Sequence, residues 1–146
     1  MKFTNGYWQT KPGYRFLFAT QCVRAWKDGN DLVLLAATRP VTGRGDVLNS
    51  GTLEVRFSAP RKGIIRVSIT HFAGAADHGP HFTTFEEETD PEIMITGDCA
   101  SLRSGDLTVR ALKTEGRWKV DFLGKDGKLL TSTGYHGMAR ALKEED

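Results

Sequence analysis

The chain has 146 residues, of which 39% are hydrophobic, and this size suits one domain with a single core. Its 20 basic and 18 acidic side chains are spread along the whole length, which argues against a nucleic-acid surface with its concentrated basic patch. No apolar run approaches the ~20 residues of a membrane-spanning helix, and the opening MKFTNGYWQT lacks a signal-peptide pattern. We therefore expect no nucleic-acid partner, no membrane association and a cytoplasmic location.

Short strand-like segments fill most of the chain after a glycine- and aromatic-rich beginning. Runs of alternating or wholly apolar residues recur, and turn residues such as Gly, Pro, Asn and Asp close most of them. The predicted strands cover residues 14–26, 32–38, 52–58, 64–72, 93–96, 99–103, 107–112, 118–123 and 129–133. Many short strands joined by hairpin-type turns are typical of an antiparallel sandwich or barrel.

Alternation inside these strands predicts which side of each is dry. Leu53, Val55 and Phe57 face one way, whereas the residues between them are polar. Strands with one dry face require two sheets that close on each other, so we predict an all-β, antiparallel two-sheet β-sandwich. The one helix-like segment, residues 138–146, predicts a short C-terminal helical tail that frays.

Residues 63–82 are the stretch where a ligand contact is first expected. They begin as a strand predicted to be half-buried, with Ile65, Val67 and Ile69 among polar neighbours. They end in a loop where Gly79-Pro80 forbids regular structure. Together with the polar residues that follow, this loop makes a long connection over residues 73–92, and such connections are usually functional or mobile.

Acidic residues in this connection have two interpretations. Glu86, Glu87, Glu88 and Asp90 offer a general acid and base pair or a site for a hard cation. Consecutive carboxylates on an extended segment point in opposite directions, however, and do not converge on one substrate atom. A solvated acidic loop is the favoured interpretation.

Histidines gather in the same stretch. His71, Asp77, His78 and His81 offer nitrogen and oxygen ligands for zinc. Their spacing matches no closed zinc motif and no cysteine lies nearby, so polar loop residues bonded to the backbone are the favoured interpretation. No nucleophile elbow and no phosphate-cradling glycine loop is present. We therefore expect no metal and no cofactor.

Aromatic residues outside the alternating strands are candidates for sugar stacking. Trp8 and Trp26, with Tyr7, offer ring faces for the C–H groups of a pyranose, although packing in the core is the favoured role for each. Cys22 and Cys99 both lie in strand-like apolar surroundings, where buried free thiols are common, and a disulfide is not expected.

The chain resembles the N-terminal β-sandwich domain of bacterial α-xylosidases and related α-glucosidases of glycoside hydrolase family 31. The resemblance extends over residues 52–58, 63–82 and 107–123, and over an opening formed by Trp8 and Lys11-Pro12-Gly13. Its most specific pieces are His71-Phe72 with Gly74, Gly79-Pro80-His81, Trp118 and Asp121-Phe122-Leu123. Residues 1–135 are thus expected to form part of that domain, and residues 136–146 a poorly matching C-terminal tail.

This resemblance implies a galactose-mutarotase-like pair of sheets that scaffolds a catalytic (β/α)8 barrel in the same parent chain. The parent is expected to be a retaining α-glycosidase, often a homo-oligomer, that acts on carbohydrate. The two carboxyl groups that such enzymes hold about 5–5.5 Å apart have no counterpart here, so no catalytic residue is assigned and this fragment alone is expected to be inactive. The candidates for an interface or pocket rim are Phe72, Asp77, His78, Pro80 and His81.

Two alternatives from other classes remain open. A stand-alone carbohydrate-binding β-sandwich module would stack sugars on Trp8 or Trp26 and bind them without any other domain. A purely structural sandwich would mediate assembly through an unpaired edge strand.

Overall fold

Antiparallel strands form the framework of the protein. The structure, a computed structural model, describes residues 9–72, 74, 79–82, 84–113, 118–134 and 136–144. In these residues the strands are β1 Tyr14–Phe18, β2 Gln21–Asp28, β3 Asp31–Ala37, β4 Thr52–Arg61, β5 Ile64–Thr70, β6 Glu92–Ile95, β7 Cys99–Ser104, β8 Leu107–Leu112, β9 Val120–Leu123, β10 Leu129–Thr133 and β11 Ala139–Lys143. Short 3-10 helices cover Arg44–Val47 and Lys125–Gly127.

Two larger sheets pack face to face. One has four strands in the order β2-β3-β4-β5, and the other has five in the order β10-β9-β8-β7-β6. Strand β2 faces β6, β3 and β4 face β7, and β5 faces β8. The predicted all-β, antiparallel two-sheet β-sandwich is confirmed.

The core lies between these two sheets. The predicted dry positions Leu53, Val55 and Phe57 are buried, and so are Leu102 and Val109 from the facing sheet. Burying an aliphatic or aromatic side chain of this size stabilises the folded state by about 1.5–3 kcal/mol. Alternation in β4 therefore identifies its core residues correctly.

The predicted C-terminal helical tail is wrong, because residues 139–143 form strand β11. β11 pairs with β1 in a separate two-stranded sheet, in which Tyr14 lies opposite Lys143 and Phe18 opposite Ala139. A helix of this length is marginal without docking, whereas the edge of β1 satisfies the backbone groups of the segment. Nowhere in the described ranges is there a helix with the length and apolar character needed to cross a bilayer.

The single strand predicted over residues 14–26 is also wrong, because the chain changes sheets at Ala19 and Thr20. The Ala19 N–H donates to the carbonyl of Met138 at 2.8 Å, and the Thr20 N–H donates to the carbonyl of Ala37 at 2.9 Å. One residue thus bonds to the β1–β11 side and the next to the four-stranded sheet. No Gly or Pro marks this break, because the bonds that make it come from distant segments.

Strand β5 is more exposed than its alternation predicts. Ile65 packs against the core, but Val67 and Ile69, which lie opposite the buried residues Phe57 and Val55 of β4, stay 37% and 42% exposed. An edge strand has a neighbour on one side only, so its side chains are covered less well.

Candidate functional site

The connection between β5 and β6 carries the residues that sequence reasoning favoured as a site. Its second part, residues 84–91, is called the acidic connection below. The Glu87 N–H donates to the carbonyl of Pro60 at 2.9 Å. The Thr89 hydroxyl donates to the carbonyl of Ala59, and the amide of Asn30 donates to the carbonyl of Thr89 at 2.9 Å. These bonds attach the acidic connection to the end of β4 and to the β2–β3 turn.

Glutamates of the acidic connection are held by arginines of the four-stranded sheet. Arg66 pairs with Glu86, and the Arg61 Nε lies 2.9 Å from Glu87 Oε1. The hydrogen bond from Arg66, together with its charge, lowers the pKa of Glu86. Both carboxylates therefore anchor the chain, which gives them a structural role that a general acid does not have.

His71 has partners at both ring nitrogens. Its Nδ1 lies 3.3 Å from the carbonyl oxygen of Thr52, and its Nε2 contacts a guanidinium nitrogen of Arg140. Arginine has only donors, so Nε2 accepts and the proton is assigned to Nδ1, which donates to Thr52. His71 thus joins the end of β5 to β11 and offers no free nitrogen to a metal.

The structure describes only one other member of the histidine group. Asp77 and His78 lie outside the described residues, and His81 is exposed. Within the described ranges, no three His, Cys, Asp or Glu side chains are grouped as metal ligands.

An exposed aromatic set marks both ends of the loop. Phe72, Phe82 and Phe85 are 66%, 80% and 82% exposed, and Pro80 and His81 are exposed between them. Single exposed apolar side chains are common on protein surfaces, but several large ones on one connection are unusual. The structure thus places the interface candidates Phe72, Pro80 and His81 at the surface, and their role in an interface stays a prediction.

Trp26 is half-buried, and one of its ring faces is already occupied. The guanidinium carbon of Arg24 lies 5.4 Å from the ring centroid, which is a cation–π contact. The other sugar-stacking candidate, Trp8, lies outside the described residues. The role of Trp8 and Trp26 in sugar stacking therefore stays a prediction.

Arg56 lies at the centre of a charge cluster that sequence reasoning missed. Its guanidinium reaches Asp28 at 2.8 Å, Asp31 at 3.0 Å and Glu54 at 3.4 Å. The hydrogen bonds to Asp28 and Asp31 raise the pKa of Arg56. Only the pairing of β2, β3 and β4 brings these groups together, so spacing in the sequence carries no signal for them.

Asp121 is a second charged residue whose environment the sequence did not show. It sits on the outward side of β9, yet only 2% of it is exposed, because Arg110 and Lys119 close over it. Burial raises the pKa of this carboxyl, but the hydrogen bonds and charges of Arg110 and Lys119 outweigh burial, and the net shift is downward. The sequence could have indicated this ion pair, because Arg110 and Asp121 carry opposite charges and lie in two neighbouring predicted strands.

A groove of about 230 Å³ lies beside the acidic connection. Its walls carry Asp31, Arg56, Arg66, Glu86 and Glu87, which are already joined in the ion pairs described above. Ligand pockets are mostly apolar with a few convergent polar groups, whereas the walls of this groove are mostly polar or charged. The groove therefore does not resemble a typical ligand pocket.

Comparison with known proteins identifies relatives of this chain. No protein-family model matches the chain. The α-xylosidase XylQ of Lactiplantibacillus pentosus is 32% identical over 134 residues, which are 91% of this chain and 17% of that protein. An α-xylosidase of Emericella nidulans is 40% identical over 82 residues, which are 56% of this chain and 10% of that protein.

Solved structures share the fold. The cycloalternan-forming enzyme of Listeria monocytogenes, in complex with a pentasaccharide substrate, superposes with a TM-score of 0.57 at 13% identity. The match covers 82% of this chain and 10% of that enzyme. An uncharacterized protein of Listeria monocytogenes EGD-e, lmo2446, gives the same TM-score and coverage. At this identity the structural likeness shows the fold alone.

The chain spans 17% and 10% of the two α-xylosidases that it matches. Its similarity to the first of them extends over almost all of its own length. The resemblance to glycoside hydrolase family 31 is therefore confirmed, and the chain is related to one part of the α-xylosidases of that family.

Proposed function

We propose that this chain is a non-catalytic N-terminal domain of a family 31 α-glycosidase and that it scaffolds a catalytic (β/α)8 barrel in the same polypeptide. The complete enzyme would hydrolyse terminal α-xylosyl or α-glucosyl residues. One observation carries the proposal: 91% of this chain matches an α-xylosidase of which it spans only 17%. The remainder of such a protein has ample length for a catalytic domain.

Three described carboxyl groups with a shifted pKa support a non-catalytic role. A retaining glycosidase needs a carboxylic acid that stays protonated near neutral pH, and such groups have a raised pKa. The pKa values of Asp46, Glu86 and Asp121 are all lowered, because hydrogen bonds from neighbouring groups favour their ionised forms. These carboxylates are suited to hold structure and unsuited to protonate a leaving group.

The exposed aromatic set is the proposed contact with the barrel or with a neighbouring subunit of a homo-oligomer. Phe72, Phe82 and Phe85 expose most of their surface, and aromatic residues are enriched in the buried centres of interfaces. The proposed compartment is the cytoplasm, and the free thiols of Cys22 and Cys99 agree with a reducing environment.

Three proteins test the proposal: this chain alone, the longer polypeptide that includes the sequence encoded after Asp146, and that polypeptide without residues 1–146. Each is assayed for hydrolysis of p-nitrophenyl α-xyloside and p-nitrophenyl α-glucoside. We expect activity from the complete polypeptide only, because the chemistry lies outside this chain while the barrel needs its scaffold.

Four outcomes would overturn the proposal. They are hydrolysis by this chain alone, full activity after its removal, a complete polypeptide that is inert on both substrates, and a reading frame that ends at residue 146. Sugar binding by this chain alone, lost in a Trp8 or Trp26 to Ala variant, would instead favour a carbohydrate-binding module.

A further inference from the structure

One histidine ring links the small sheet of β1 and β11 to the four-stranded sheet. His71 directly follows β5, and its Nε2 contacts a guanidinium nitrogen of Arg140 in β11. Its Nδ1 lies 3.3 Å from the carbonyl oxygen of Thr52, the first residue of β4. A single imidazole thus joins β11 to one end of β4 and β5.

The contact with Arg140 requires an uncharged His71. A guanidinium only donates hydrogen bonds, so Nε2 of His71 must accept, and the one ring proton then lies on Nδ1. A second proton would occupy Nε2, remove the acceptor and place an imidazolium against the guanidinium. Histidine is the side chain that ordinarily gains such a proton between about pH 5 and 8. The contact is therefore compatible with only one charge state of the ring.

In the described part of the chain, no carboxylate stands beside this contact to offset a second positive charge. Arg140 is the one charged group there that is hydrogen bonded to or paired with His71. Lys143, the other charged residue of β11, is itself a cation. The charged side chains of β1, β4 and β5 are paired elsewhere: Arg15 with Glu144, Glu54 with Arg56, Arg61 with Glu87 and Arg66 with Glu86. Protonation of His71 would thus set two cations against each other.

We infer that His71 is a pH-sensitive tether, which holds β11 to the four-stranded sheet when its ring is neutral and releases it when the ring is protonated. The bond from the Thr20 N–H to the carbonyl of Ala37 is independent of this contact and keeps β1 attached to β3. Acidification therefore loosens β11 locally and does not unfold the sandwich. The inference concerns this chain by itself and does not depend on the proposed function.

Hydrogen exchange measured by mass spectrometry tests the tether. Peptides that cover β11 are compared at about pH 7.5 and about pH 5, on the two sides of the range in which histidine ordinarily changes charge, after correction for the pH dependence of the exchange chemistry. We expect the amides of β11 to exchange about fivefold faster at the lower pH, because a lost contact makes local opening easier. Peptides from β3, which has a strand on both sides, serve as the internal reference.

Two variants remove one side of the contact each. His71→Gln keeps an acceptor for Arg140 but cannot be protonated, so β11 should exchange equally at both pH values. Arg140→Gln keeps a donor for the neutral ring but carries no charge, so less than half of the pH effect should remain. A loss of the pH effect in both variants would assign it to this pair.

Two other histidines provide matched controls. His81 is exposed, and His81→Gln should keep the full pH effect. His136 is the competing source of a pH effect in the small sheet, since its ring stacks on Phe18 of β1 with the centroids 3.9 Å apart. His136→Gln should also keep the full effect.

Equal exchange of β11 at the two pH values in the unaltered chain would overturn the inference. So would a pH effect that persists in His71→Gln, or one that disappears in His136→Gln. If His71→Gln already loosens β11 at neutral pH, Arg140→Gln decides: a full pH effect in that variant overturns the tether, and a reduced effect supports it.

Discussion

Arg110 and Asp121 stand opposite each other across β8 and β9, with Arg110 Nη2 3.1 Å from Asp121 Oδ2. Lys119 Nζ lies 3.1 Å from the second carboxylate oxygen, so two cations enclose one buried anion. The pKa of Asp121 is lower in the folded protein than in the unfolded chain, where it lies at about 3.9. The stabilisation is therefore fully present above that unfolded value and is lost as the pH falls through the folded pKa.

Replacing Asp121 by Asn is expected to lower the free energy of unfolding by about 2 kcal/mol at pH 7, because both cations lose their charged partner. The loss is expected to shrink as the pH falls from 7 through the folded pKa of Asp121, since the native carboxyl then becomes neutral as well. Urea unfolding across this pH range measures both effects. Asp126→Asn is the matched control, because Asp126 is exposed and Asn tolerates its φ of +59°. An equal loss at every pH would contradict the explanation.

Replacing Arg56 by Lys is expected to destabilise the chain by about 1 kcal/mol, although the charge is kept. A guanidinium reaches Asp28 and Asp31 with separate nitrogens, whereas an ammonium is a single point and cannot reproduce this fork. Thermal unfolding at low salt measures the change. Arg15→Lys is the control, because Arg15 is exposed and lies 3.9 Å from Glu144 in a pair that contributes little. Equal effects at the two positions would show that geometry at Arg56 does not matter.

Replacing Thr89 by Val is expected to loosen the acidic connection without unfolding the sandwich. The variant keeps the shape of the side chain but loses the bond from its hydroxyl to the carbonyl of Ala59, which is worth about 1 kcal/mol. Chymotrypsin cleavage after Phe85 should therefore become about fivefold faster, because local opening governs proteolysis. Glu88→Gln, an exposed neighbour, should leave the rate unchanged. Unchanged cleavage in the Thr89 variant would show that this bond does not hold the connection.

Cys22 and Cys99 are expected to react with a thiol reagent at clearly different rates. Burial raises the pKa of the Cys22 thiol and outweighs the opposing effect of Lys113, and the side chain is also shielded from solvent. The nucleophile is the thiolate, so both causes slow the reaction. With a chromogenic disulfide at pH 8, Cys99 should react first, and Cys22 at least about tenfold later, at a rate set by opening of the fold. Single Cys→Ser variants assign the two phases, and a fast phase that survives in Cys99→Ser would contradict the assignment.

Local pattern predicted the parts of the fold that local physics controls. Alternation in β4 identified Leu53, Val55 and Phe57 as core residues, since period-two burial follows directly from strand geometry. The pairing of β1 with β11 was not predictable in the same way. Residues 139–143 combine alanine with leucine and lysine, which favours a helix, and their actual partner lies at the other end of the sequence.

The same distinction between local pattern and distant contacts applies to the residues of the candidate site. Exposure of Pro80 and His81 could be expected from the loop that Gly79-Pro80 begins, whereas Phe72 was predicted inside the strand over residues 64–72 and instead lies exposed beyond the end of β5. The ion pair of Arg66 with Glu86 could not be, because it depends on the path of a long connection and carries no periodic signal. The cation–π contact of Arg24 with Trp26 could not be predicted either, because nothing in the sequence places Arg24 over that ring.

The small sheet of β1 and β11 also determines how the protein would respond to force. Tyr14 lies opposite Lys143, so the chain enters and leaves this sheet at the same end. A force applied at Tyr14 and Lys143 would load the hydrogen bonds between β1 and β11 one after another. It would not load all of them at the same time. We expect this sheet to open first and at low force, while the sandwich behind it still holds its shape.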